Sequence, residues 1–387
     1  MNGTLSDKPK VGVNTLCIYP GRNRGVQTYL DQLLLSMVES DGFRWVLFVS
    51  RSNQQHYEEL LGERKQVKFV VCGISGANRV TRVLYEQTFL QRKAIREKCD
   101  LMFFPGYLGP IVKRLPIVLA VHDMQFRDIP EGLPIAFRLI YGAIVPRAIR
   151  AANVVITISE FSKSRISYHF PDSKEKITVT YLAARKRSER ERPNPIQKPP
   201  SCSLPGSVSS LIEDEIPYLL SVSSANRHKN IDELVRAFAE INQSNQFRLV
   251  LVGVERSGDP EGVISTGYLT DESRDAVYDA ALAYVFASRY EGFGLPLLEA
   301  MEAGLPVASS WAGSLKEVGG DACLFFDPTQ RSEISDAMLR LFEDGDLRGR
   351  LVELGEKRAS KFCWEKTASE TLDVFQRVYQ HSLAEDR

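Results

Sequence analysis

The sequence predicts an α/β protein of two domains, each built on a parallel β-sheet covered by helices. Short runs rich in β-branched and aromatic residues alternate with longer amphipathic stretches, which is typical of parallel sheets connected by helices. The 387 residues correspond to about two domains of ordinary size. A charged and proline-rich segment separates two regions that show this alternation, so the chain is expected to divide there.

Six segments of the first region have the short apolar pattern of buried strands. They are residues 10–17, 45–50, 67–72, 100–104, 117–121 and 154–158. Helices are predicted between several of these strands. One helix has its apolar face traced by Leu30, Leu33, Leu34 and Met37, and another covers residues 83–96, where apolar and basic positions alternate.

The same alternation returns in the second region. Strands are predicted at residues 218–222, 248–252, 283–287 and 306–309, and helices at residues 230–241, 272–280 and 297–303. The tail, residues 332–384, is almost continuously helical apart from Asp344-Gly345-Asp346. That triplet has the spacing of a metal-binding carboxylate pair, but its place between two helices favours a helix-terminating turn, and no metal site is predicted.

The predicted domain limits follow from a break in these patterns. Residues 185–192 are a charge run, and five prolines follow within a short serine-containing stretch that cannot hold a helix or a central strand. We therefore divide the chain into an N-terminal domain (residues 1–184), a linker (185–214), a C-terminal domain (215–363) and a final helix (364–387) expected to pack back on the N-terminal domain.

Composition restricts the partners and the compartment. Lys and Arg number 49 and Asp and Glu 49, so no overall bias towards nucleic acid exists, but residues 1–200 hold 31 basic and 18 acidic side chains. The six cysteines show no zinc-site spacing, which favours a reducing compartment. No apolar run suggests a signal peptide or a membrane span. The protein is expected to be cytoplasmic, with peripheral attachment to the inner face of the cell membrane left open.

The clearest local motif is a glycine turn between two acids, Glu291-Gly-Phe-Gly-Leu-Pro-Leu-Leu-Glu299, directly after a predicted strand. A strand, such a turn and a proline in the first helical turn expose backbone N–H groups at a helix N-terminus, where phosphate binds. Gly292 and Gly294 let a ligand approach the backbone, and Glu299 could accept hydrogen bonds from a vicinal diol such as that of ribose. A tight turn with a helix-capping acid is the alternative.

A basic cluster, Asn226-Arg-His-Lys-Asn230, precedes the predicted helix at residues 230–241. Cations beside a helix start oppose the helix macrodipole, so Arg227 and Lys229 favour an anionic ligand such as a diphosphate. A solvated loop that happens to be basic is the alternative.

Two further candidates follow strands of the first region, where a doubly wound sheet binds its ligands. Gly25 lies between the first strand and the first helix and permits close approach of a ligand. His122 closes the strand at residues 117–121 and could hydrogen-bond a substrate hydroxyl, although a structural histidine is the alternative. Neither a dinucleotide-binding fingerprint nor a nucleoside triphosphatase P-loop is present in the sequence.

Taken in this order, the segments resemble the retaining glycosyltransferases of group 1, or family four, which have the GT-B fold. The resemblance spans nearly the whole chain, and its most specific part is the motif from Glu291 to Glu299 with the Glu-Ala-Met-Glu-Ala-Gly-Leu-Pro-Val run that overlaps its end. It implies two Rossmann-like domains that face a central cleft. The C-terminal domain would hold a nucleotide-sugar donor and the N-terminal domain the acceptor.

The resemblance also implies roles for individual residues of the C-terminal domain. Glu299 would bind the donor ribose, and Glu291 the hydroxyls of the donor sugar. Backbone groups of the turn would face sugar and phosphate, namely those of Phe293, Gly294 and Leu295. Lys229 and Arg227 would neutralise the diphosphate, and the loop after Gly267 would meet the base through Leu269.

In the N-terminal domain the resemblance implies that Gly25 faces the phosphates and that His122 faces the sugar ring. Two positions depart from the family pattern. Ser223 stands where many relatives carry an arginine, which weakens the transfer of a phosphate-binding role to Arg227. Residues 181–183 replace an Asn-Gly found in many relatives, so the hinge there is not transferable.

The chain is therefore predicted to move a hexose from a nucleotide-diphosphate sugar, of the GDP-mannose type, to a glycan or lipid-linked acceptor with retention of configuration. Mannosyltransferases of bacterial surface polysaccharide and O-antigen synthesis are the expected relatives. No metal and no cofactor beyond the nucleotide-sugar co-substrate are expected. The basic N-terminal half suits an anionic membrane surface or a lipid-diphosphate acceptor, with a solvated helix face as the alternative. The basic residues on and around the apolar-faced helix are Arg79, Arg82, Arg92, Lys93, Arg96 and Lys98. The alternatives are an epimerase or phosphorylase of the same architecture, or a catalytically inactive sugar-nucleotide-binding protein.

Overall fold

The computed structural model describes residues 8–21, 24–131, 133–185, 216–243 and 246–385. They form two compact units, the first ending at Leu182 and resuming at Cys363, and the second spanning Ala183–Phe362. The sequence analysis places the corresponding limits at residues 184 and 363. Of the linker expected at residues 185–214, only Arg185 is described, and the remainder lies outside the described residues.

The first unit is built on a seven-stranded sheet in which every neighbouring pair of strands is parallel. Its strands are β1 (Lys10–Asn14), β2 (Arg44–Val49), β3 (Val67–Val71), β4 (Leu101–Phe104), β5 (Ile117–Ala120), β6 (Val154–Thr157) and β7 (Ile177–Val179). The spatial order is β3-β2-β1-β4-β5-β6-β7, so the order reverses between β1 and β4. Ligands of such sheets bind at the carboxyl ends of the strands near this reversal.

Helices lie between most of the consecutive strands. They are α1 (Arg24–Met37), α2 (Gln54–Leu61), α3 (Arg79–Tyr85), α4 (Gln91–Arg96), α5 (Gln125–Asp128), α6 (Ile135–Ala151) and α7 (Glu160–His169). The predicted apolar face of α1 is confirmed, because Leu30, Leu33, Leu34 and Met37 are all fully buried. Ser159 caps α7 by accepting a hydrogen bond from the backbone N–H of Ser162.

The second helix predicted in this region is interrupted. A π-helical turn (Glu86–Leu90) separates α3 from α4, and Glu86 points into the protein, where its Oε1 atom accepts a hydrogen bond from Asn14 Nδ2 at 3.1 Å. Arg82 is also buried and lies 3.8 Å from the same carboxylate. Its charge therefore does not belong to the exposed basic face on which the sequence pattern places it.

The second unit repeats the arrangement with a six-stranded parallel sheet. Its strands are β8 (Tyr218–Val222), β9 (Arg248–Val252), β10 (Val263–Gly267), β11 (Ala283–Phe286), β12 (Val307–Ser310) and β13 (Cys323–Phe326). The spatial order β10-β9-β8-β11-β12-β13 reproduces the order of the first six strands of the other unit. Its helices are α8 (Ile231–Ile241), α9 (Asp271–Ala280), α10 (Leu295–Glu302), α11 (Leu315–Gly319), α12 (Arg331–Glu343) and α13 (Gly345–Ala359).

The last helix, α14 (Trp364–Glu385), belongs to the first unit, as the sequence predicts. Its Phe375 is fully buried against the rings of Phe43, Trp45 and Phe103. The turn before α13 is the predicted helix boundary, since the Asp344 side chain accepts a hydrogen bond from the N–H of Leu347 and so caps α13.

Three strands that the sequence analysis does not predict are β7, β10 and β13. All three are edge strands, and each has residues that are only partly buried. Edge strands contact one neighbour instead of two, so their sequences need not form a continuous apolar run. Among the described residues, no helix combines the length and the apolar character needed to cross a bilayer.

Candidate functional site

The basic cluster of the second unit forms a single 3₁₀ turn, Arg227–Lys229, between β8 and α8. The turn ends at Asn230, whose backbone is left-handed with φ of 60°, a conformation that asparagine tolerates better than most residues. The Asn230 side chain donates a hydrogen bond to the carbonyl of Pro328 at 2.8 Å. This bond anchors the end of the turn and fixes the position from which Lys229 extends.

Lys229 and Glu291 form an ion pair in which Nζ lies 2.6 Å from Oε1. Both side chains are largely buried, and Nζ also lies 5.9 Å from the centre of the Phe286 ring at the end of β11. The structure thus brings together two residues that are 62 positions apart and that the sequence analysis assigns to the same ligand. The pairing places a positive and a negative group at the carboxyl ends of two adjacent strands.

The backbone of Glu291 is held from the far side by the segment after β12. The carbonyl of Glu291 accepts hydrogen bonds from the N–H and the hydroxyl of Ser314, at 3.1 and 3.0 Å. Gly313 has φ of 64°, and a Cβ atom there would lie 2.5 Å from the carbonyl oxygen of Glu291. Only glycine fits this contact, and the sequence motif gives no sign of it.

Gly294 is the N-cap residue of α10 and has φ of 98°, which is accessible to glycine at little cost. A Cβ atom at this position would lie 2.5 Å from Leu315 Cδ2. The first helical turn contains Pro296, which has no N–H, and Leu297, whose N–H donates to the carbonyl of Gly294 at 3.0 Å. The N–H groups of Gly294 and Leu295 are therefore the ones at this helix start that no helical carbonyl can satisfy. The Phe293 side chain is buried edge-on against Phe362, so its ring does not face a ligand.

Glu299 lies one turn into α10 and is largely buried. Its Oε2 accepts a hydrogen bond from the Tyr278 hydroxyl at 3.2 Å, and its Oε1 lies 3.9 Å from Arg274 Nη2. These residues line a small pocket with Asp275 and Arg185. Sequence reasoning missed Tyr278 and Arg274, which lie on α9 at helical spacing and there resemble ordinary helix residues.

The loop implied to meet the base follows β10. Gly267 has φ of 65°, and its N–H donates to the carbonyl of Val254 while its carbonyl accepts from Gly253. Leu269 is buried, whereas the preceding Tyr268 is 65% exposed. A base on this loop would therefore meet the backbone of Leu269 and the ring of Tyr268.

The remaining cations of the basic turn differ from Lys229. Arg227 is exposed and forms no ion pair with any residue that the structure describes. The pKa of His228 is lowered to about 4, first by burial and then by the charge of Lys229, so its imidazole is neutral at physiological pH. His228 contributes its backbone carbonyl, which accepts a hydrogen bond from the N–H of Arg289 at 2.7 Å.

In the first unit, His122 follows β5 and is buried. Its Nε2 atom lies 2.8 Å from the carbonyl oxygen of Pro105 and donates to it, because a carbonyl can only accept. Burial lowers the pKa of His122 to about 4, so the ring is neutral and Nδ1 is an acceptor. Tyr29 lies edge-on to the ring at 4.8 Å between centroids, and Tyr107 at 5.6 Å.

Gly25 lies in the first turn of α1 and is exposed. Nothing lies within 4 Å of the position that a Cβ atom would occupy there, so no packing contact within the described residues requires glycine. Among the described residues, no group of three or more His, Cys, Asp or Glu side chains is arranged to hold a metal ion.

Comparison with known proteins identifies the family. Residues 207–358 match the family model described as glycosyl transferases group 1, and residues 23–183 match the model described as glycosyltransferase family 4. The O-antigen chain mannosyltransferase B of Escherichia coli is 31% identical to this chain over 302 residues, or 74% of this chain and 76% of that protein. The chain belongs to the group 1 glycosyltransferases. The predicted family is thereby confirmed.

Further relatives of this group 1 glycosyltransferase include the serotype-specific mannosyltransferase WbdA of Escherichia coli. It is 31% identical over 189 residues, which cover 44% of this chain and 23% of that protein. The chain is also 26% identical over 287 residues to the MMP alpha-(1->4)-mannosyltransferase of Mycolicibacterium hassiacum, covering 68% of this chain and 66% of that protein. The expected mannosyltransferase-like relatives are confirmed.

Solved structures confirm the GT-B fold. The sucrose-phosphate synthase of Thermosynechococcus elongatus has a TM-score of 0.72 at 16% identity, covering 97% of this chain and 100% of that chain. WaaG, a glycosyltransferase involved in lipopolysaccharide biosynthesis, has a TM-score of 0.68 at 16% identity, covering 94% and 99%. At these identities the similarity is one of fold.

Proposed function

We propose that this group 1 glycosyltransferase transfers mannose from GDP-mannose to a glycan or lipid-linked saccharide acceptor, with retention of the anomeric configuration and without a metal ion. The observation that carries the proposal is the buried Lys229–Glu291 pair beside the N-terminus of α10. The E. coli relatives named as mannosyltransferases favour mannose among hexoses. A related fold crystallised with UDP and glucose supports a nucleotide-sugar donor.

The proposed chemistry depends on charge. Cleavage of the bond to the anomeric carbon leaves additional negative charge on the nucleoside diphosphate. Lys229 and the N–H groups at the start of α10 stabilise that charge as it develops, and Arg227 adds a solvent-exposed cation. In this proposal these groups stabilise the leaving diphosphate, a role that a divalent cation has in other transferases.

Glu291 has two tasks in this proposal. It keeps the ammonium group of Lys229 at a fixed place in the absence of donor, and it accepts hydrogen bonds from the sugar hydroxyls when donor is bound. The acceptor hydroxyl attacks on the face that the diphosphate leaves, and the departing phosphate oxygen takes its proton. Retention follows without a side-chain nucleophile.

His122 and Gly25 have separate tasks at the edge of the first sheet. A neutral His122 with Nδ1 free to accept suits a hydrogen bond from an uncharged sugar hydroxyl. Gly25, exposed at the start of α1, allows a phosphate to approach the backbone of the first helical turn.

The donor is tested with purified protein in two steps. First, GDP, UDP and ADP are compared by thermal shift, where a ligand at about 100 times its Kd stabilises by about 2.7 kcal/mol. GDP is expected to give the largest shift. Second, GDP-mannose is incubated with mannose-terminated oligosaccharides, and the anomeric configuration of the product is determined by NMR. An inverted product, or no stabilisation by any nucleotide, would contradict the proposal.

The same incubation without acceptor tests the alternatives. An epimerase converts the donor sugar when no acceptor is present, and an inactive binding protein shows a thermal shift but no product in either incubation. The proposed transferase releases GDP at a rate that rises with acceptor concentration.

We also propose that the first unit attaches to a membrane surface containing anionic lipids. The guanidinium of Arg79 on α3 lies 4.7 Å from the centre of the Phe137 ring on α6, so the two helices are neighbours. Four aliphatic side chains of these helices are strongly exposed, namely Val80 (58%), Leu84 (58%), Ile135 (72%) and Leu139 (68%). With exposed basic residues at Arg92 and Arg96 on α4, they combine apolar and basic character as interfacial helices do.

Co-sedimentation with vesicles tests this surface. Wild-type protein should bind phosphatidylglycerol vesicles more strongly than phosphatidylcholine vesicles, and Leu84→Glu with Leu139→Glu should reduce binding to both. Reversing the charge at Arg92, Lys93 and Arg96 should reduce binding to the anionic vesicles only. Leu383→Glu, at an exposed position on α14, is the matched control. Unchanged binding of the double glutamate variant would refute the surface.

A further inference from the structure

The pocket next to Glu299 contains more charged groups than its assigned role requires. Arg274, Asp275 and Tyr278 of α9 line it together with Glu299 and with Arg185. Arg185 donates a hydrogen bond to Asp275 at 2.6 Å, and its positive charge balances the negative charge of that carboxylate. Arg274 remains as the cation that faces Glu299.

The two oxygens of the Glu299 carboxylate are held in different ways. Oε2 accepts a hydrogen bond from the Tyr278 hydroxyl at 3.2 Å, which is long for an O–H donor but gives this oxygen a defined partner. The pKa of Tyr278 is raised well above its ordinary value by burial and by the charge of Glu299, so the hydroxyl remains a donor at every physiological pH. Within the part of the chain that the structure describes, the only charged partner of Oε1 is the Arg274 guanidinium, at 3.9 Å, which is too far for a hydrogen bond. Oε1 can therefore accept hydroxyl donors from a ligand.

Arg274 itself is incompletely paired. Its Nη2 atom lies 3.4 Å from Asp271 and 3.9 Å from Glu299, and its Nε atom is buried with no hydrogen-bond partner among the described residues. Such long contacts are unusual for a largely buried guanidinium, because each unpaired donor costs free energy. The arrangement has a purpose if Arg274 holds the charge of Glu299 in place from 3.9 Å while Oε1 is left to accept a hydrogen bond from a ligand hydroxyl.

We propose that Arg274 and Tyr278 are positioning residues that orient Glu299 towards the ribose diol and thereby make the donor site selective for ribose over 2′-deoxyribose. The proposal rests on the proposed function, in which Glu299 binds the ribose. Tyr278 sets the orientation of the carboxylate through Oε2, and Arg274 holds its charge in place beside Oε1. Neither residue needs to touch the sugar for the selectivity to depend on it.

The experiment measures the Kd of GDP and of 2′-deoxy-GDP by calorimetry, and the ratio is the Kd of the deoxy analogue divided by that of GDP. UDP and 2′-deoxy-UDP are measured in the same way, so that the test does not depend on which base the site prefers. For the wild-type protein the deoxy analogue is expected to bind about tenfold more weakly, since a hydrogen bond to a charged group is lost. Glu299→Gln keeps an acceptor oxygen but loses the charge, so it should lower the ratio to about that of a neutral hydrogen bond, and Glu299→Ala should bring the ratio close to one. Tyr278→Phe and Arg274→Gln should each lower it by about threefold, as expected for the loss of a neutral hydrogen bond or a weak ion pair.

A double-mutant cycle separates positioning from a direct or merely structural role. If Arg274 acts through Glu299, Arg274→Gln changes the ratio in the wild-type background and leaves it unchanged in the Glu299→Gln background. Arg340→Gln, which removes an exposed arginine with a similarly long contact to Asp336, is the matched control and should leave the ratio at its wild-type value. Thermal unfolding of each variant shows whether the fold is intact.

The outcomes distinguish this inference from the function on which it rests. If Glu299→Gln does not alter the ratio, Glu299 does not bind the ribose and the proposed donor site is wrong. If Glu299→Gln lowers the ratio while Arg274→Gln and Tyr278→Phe retain the wild-type ratio, only the positioning role is refuted. Equal weakening of both nucleotides by Arg274→Gln, with the ratio retained, also refutes it.

Discussion

The two units share a strand order but differ in the chemistry at the carboxyl ends of their central strands. In the second unit these ends carry the Lys229–Glu291 ion pair, with Glu299 and its arginine nearby. In the first unit, neutral His122 follows β5, is bonded to a backbone carbonyl and is flanked by two tyrosines. A charged pair, Arg82–Glu86, also lies at the end of β1, but both of its side chains are almost fully buried. Among these groups, the first edge therefore presents a neutral imidazole suited to hydroxyl groups, and the second a lysine suited to a charged diphosphate.

Lys229→Ala should have the largest effect. It removes the charge that stabilises the departing diphosphate, and loss of one such group typically lowers kcat by about 10² to 10³-fold. The mutation also leaves Glu291 partly buried without its cation. Steady-state transfer kinetics provide the measurement, and Lys316→Ala, at an exposed lysine of the same unit, is the control. If Lys229→Ala kept its wild-type kcat, Lys229 would not stabilise the departing diphosphate, and the charged edge of the second sheet would have no catalytic role.

Gly313→Ala tests whether the backbone contact behind Glu291 matters to the site. The new Cβ would overlap the backbone nitrogen and oxygen of Glu291, at 2.8 and 2.5 Å, and would displace it. We expect the transfer rate to fall about ten- to a hundredfold, because small displacements of groups that position a substrate lower rates by such factors.

Gly258→Ala is the matched control for this variant. Gly258 also has a positive φ, of 75°, but nothing lies within 4 Å of its Cβ position. Both variants should lose about 1 to 2 kcal/mol of stability from the left-handed backbone alone. Equal activity in the two variants would show that the position of Glu291 does not depend on this contact.

Local patterns allowed the central strands and the main charged residues to be predicted. Central strands are buried on both faces and so have continuous apolar sequences, as at residues 101–104 and 283–286. The turn from Glu291 to Glu299 was found because its glycines, proline and acids are contiguous. The edge strands β7, β10 and β13 are partly exposed and lack a continuous apolar run, whereas the exposed edge strand β3 is predicted because its sequence, Val-Lys-Phe-Val-Val, is still rich in β-branched and aromatic residues.

The residues that support the site could not be predicted, because their contacts are set by tertiary packing. Gly313 lies 22 positions after Glu291, and Arg274 lies 25 positions before Glu299. No sequence pattern spans either separation, so neither contact can be recognised from neighbouring residues. Arg82 shows the converse error. Its spacing matches an exposed basic helix face, but the π-helical turn that follows and the buried Glu86 accompany its place inside the protein.

His122 should make the first unit less stable in acid. Its pKa is about 4 in the folded protein and about 6.5 when unfolded, so the unfolded chain binds more protons between these values and stability falls as the pH falls. Between pH 7.5 and 5.5 the wild-type protein should lose about 1.4 kcal/mol more than His122→Gln, measured by urea unfolding with tryptophan fluorescence.

The control for this prediction is His56, whose pKa is shifted in the opposite direction from that of His122. Its hydrogen bond to Asp31 raises its pKa, so its contribution to stability is present at low pH and is lost as the pH rises through the folded value. His56→Gln should therefore remove a contribution that grows in acid. The same pH dependence in wild type and His122→Gln would show that His122 is not a buried neutral group, and the chemical contrast between the two edges would no longer hold.

Arg227→Gln should have the smallest effect, and it tests how far the charged edge extends beyond Lys229. Arg227 is exposed and forms no ion pair among the described residues, so water and salt screen its attraction for a diphosphate. The KM for the donor should rise about two- to fivefold at low salt, approach the wild-type value at high salt, and leave kcat unchanged, since exposed pairs contribute about 0.2 to 1 kcal/mol. Arg350→Gln, at another exposed arginine of the same unit, is the control. A decrease in kcat comparable with that of Lys229→Ala would mean that Arg227 contacts the diphosphate in the transition state, and that the charged edge closes around the donor with two cations instead of one.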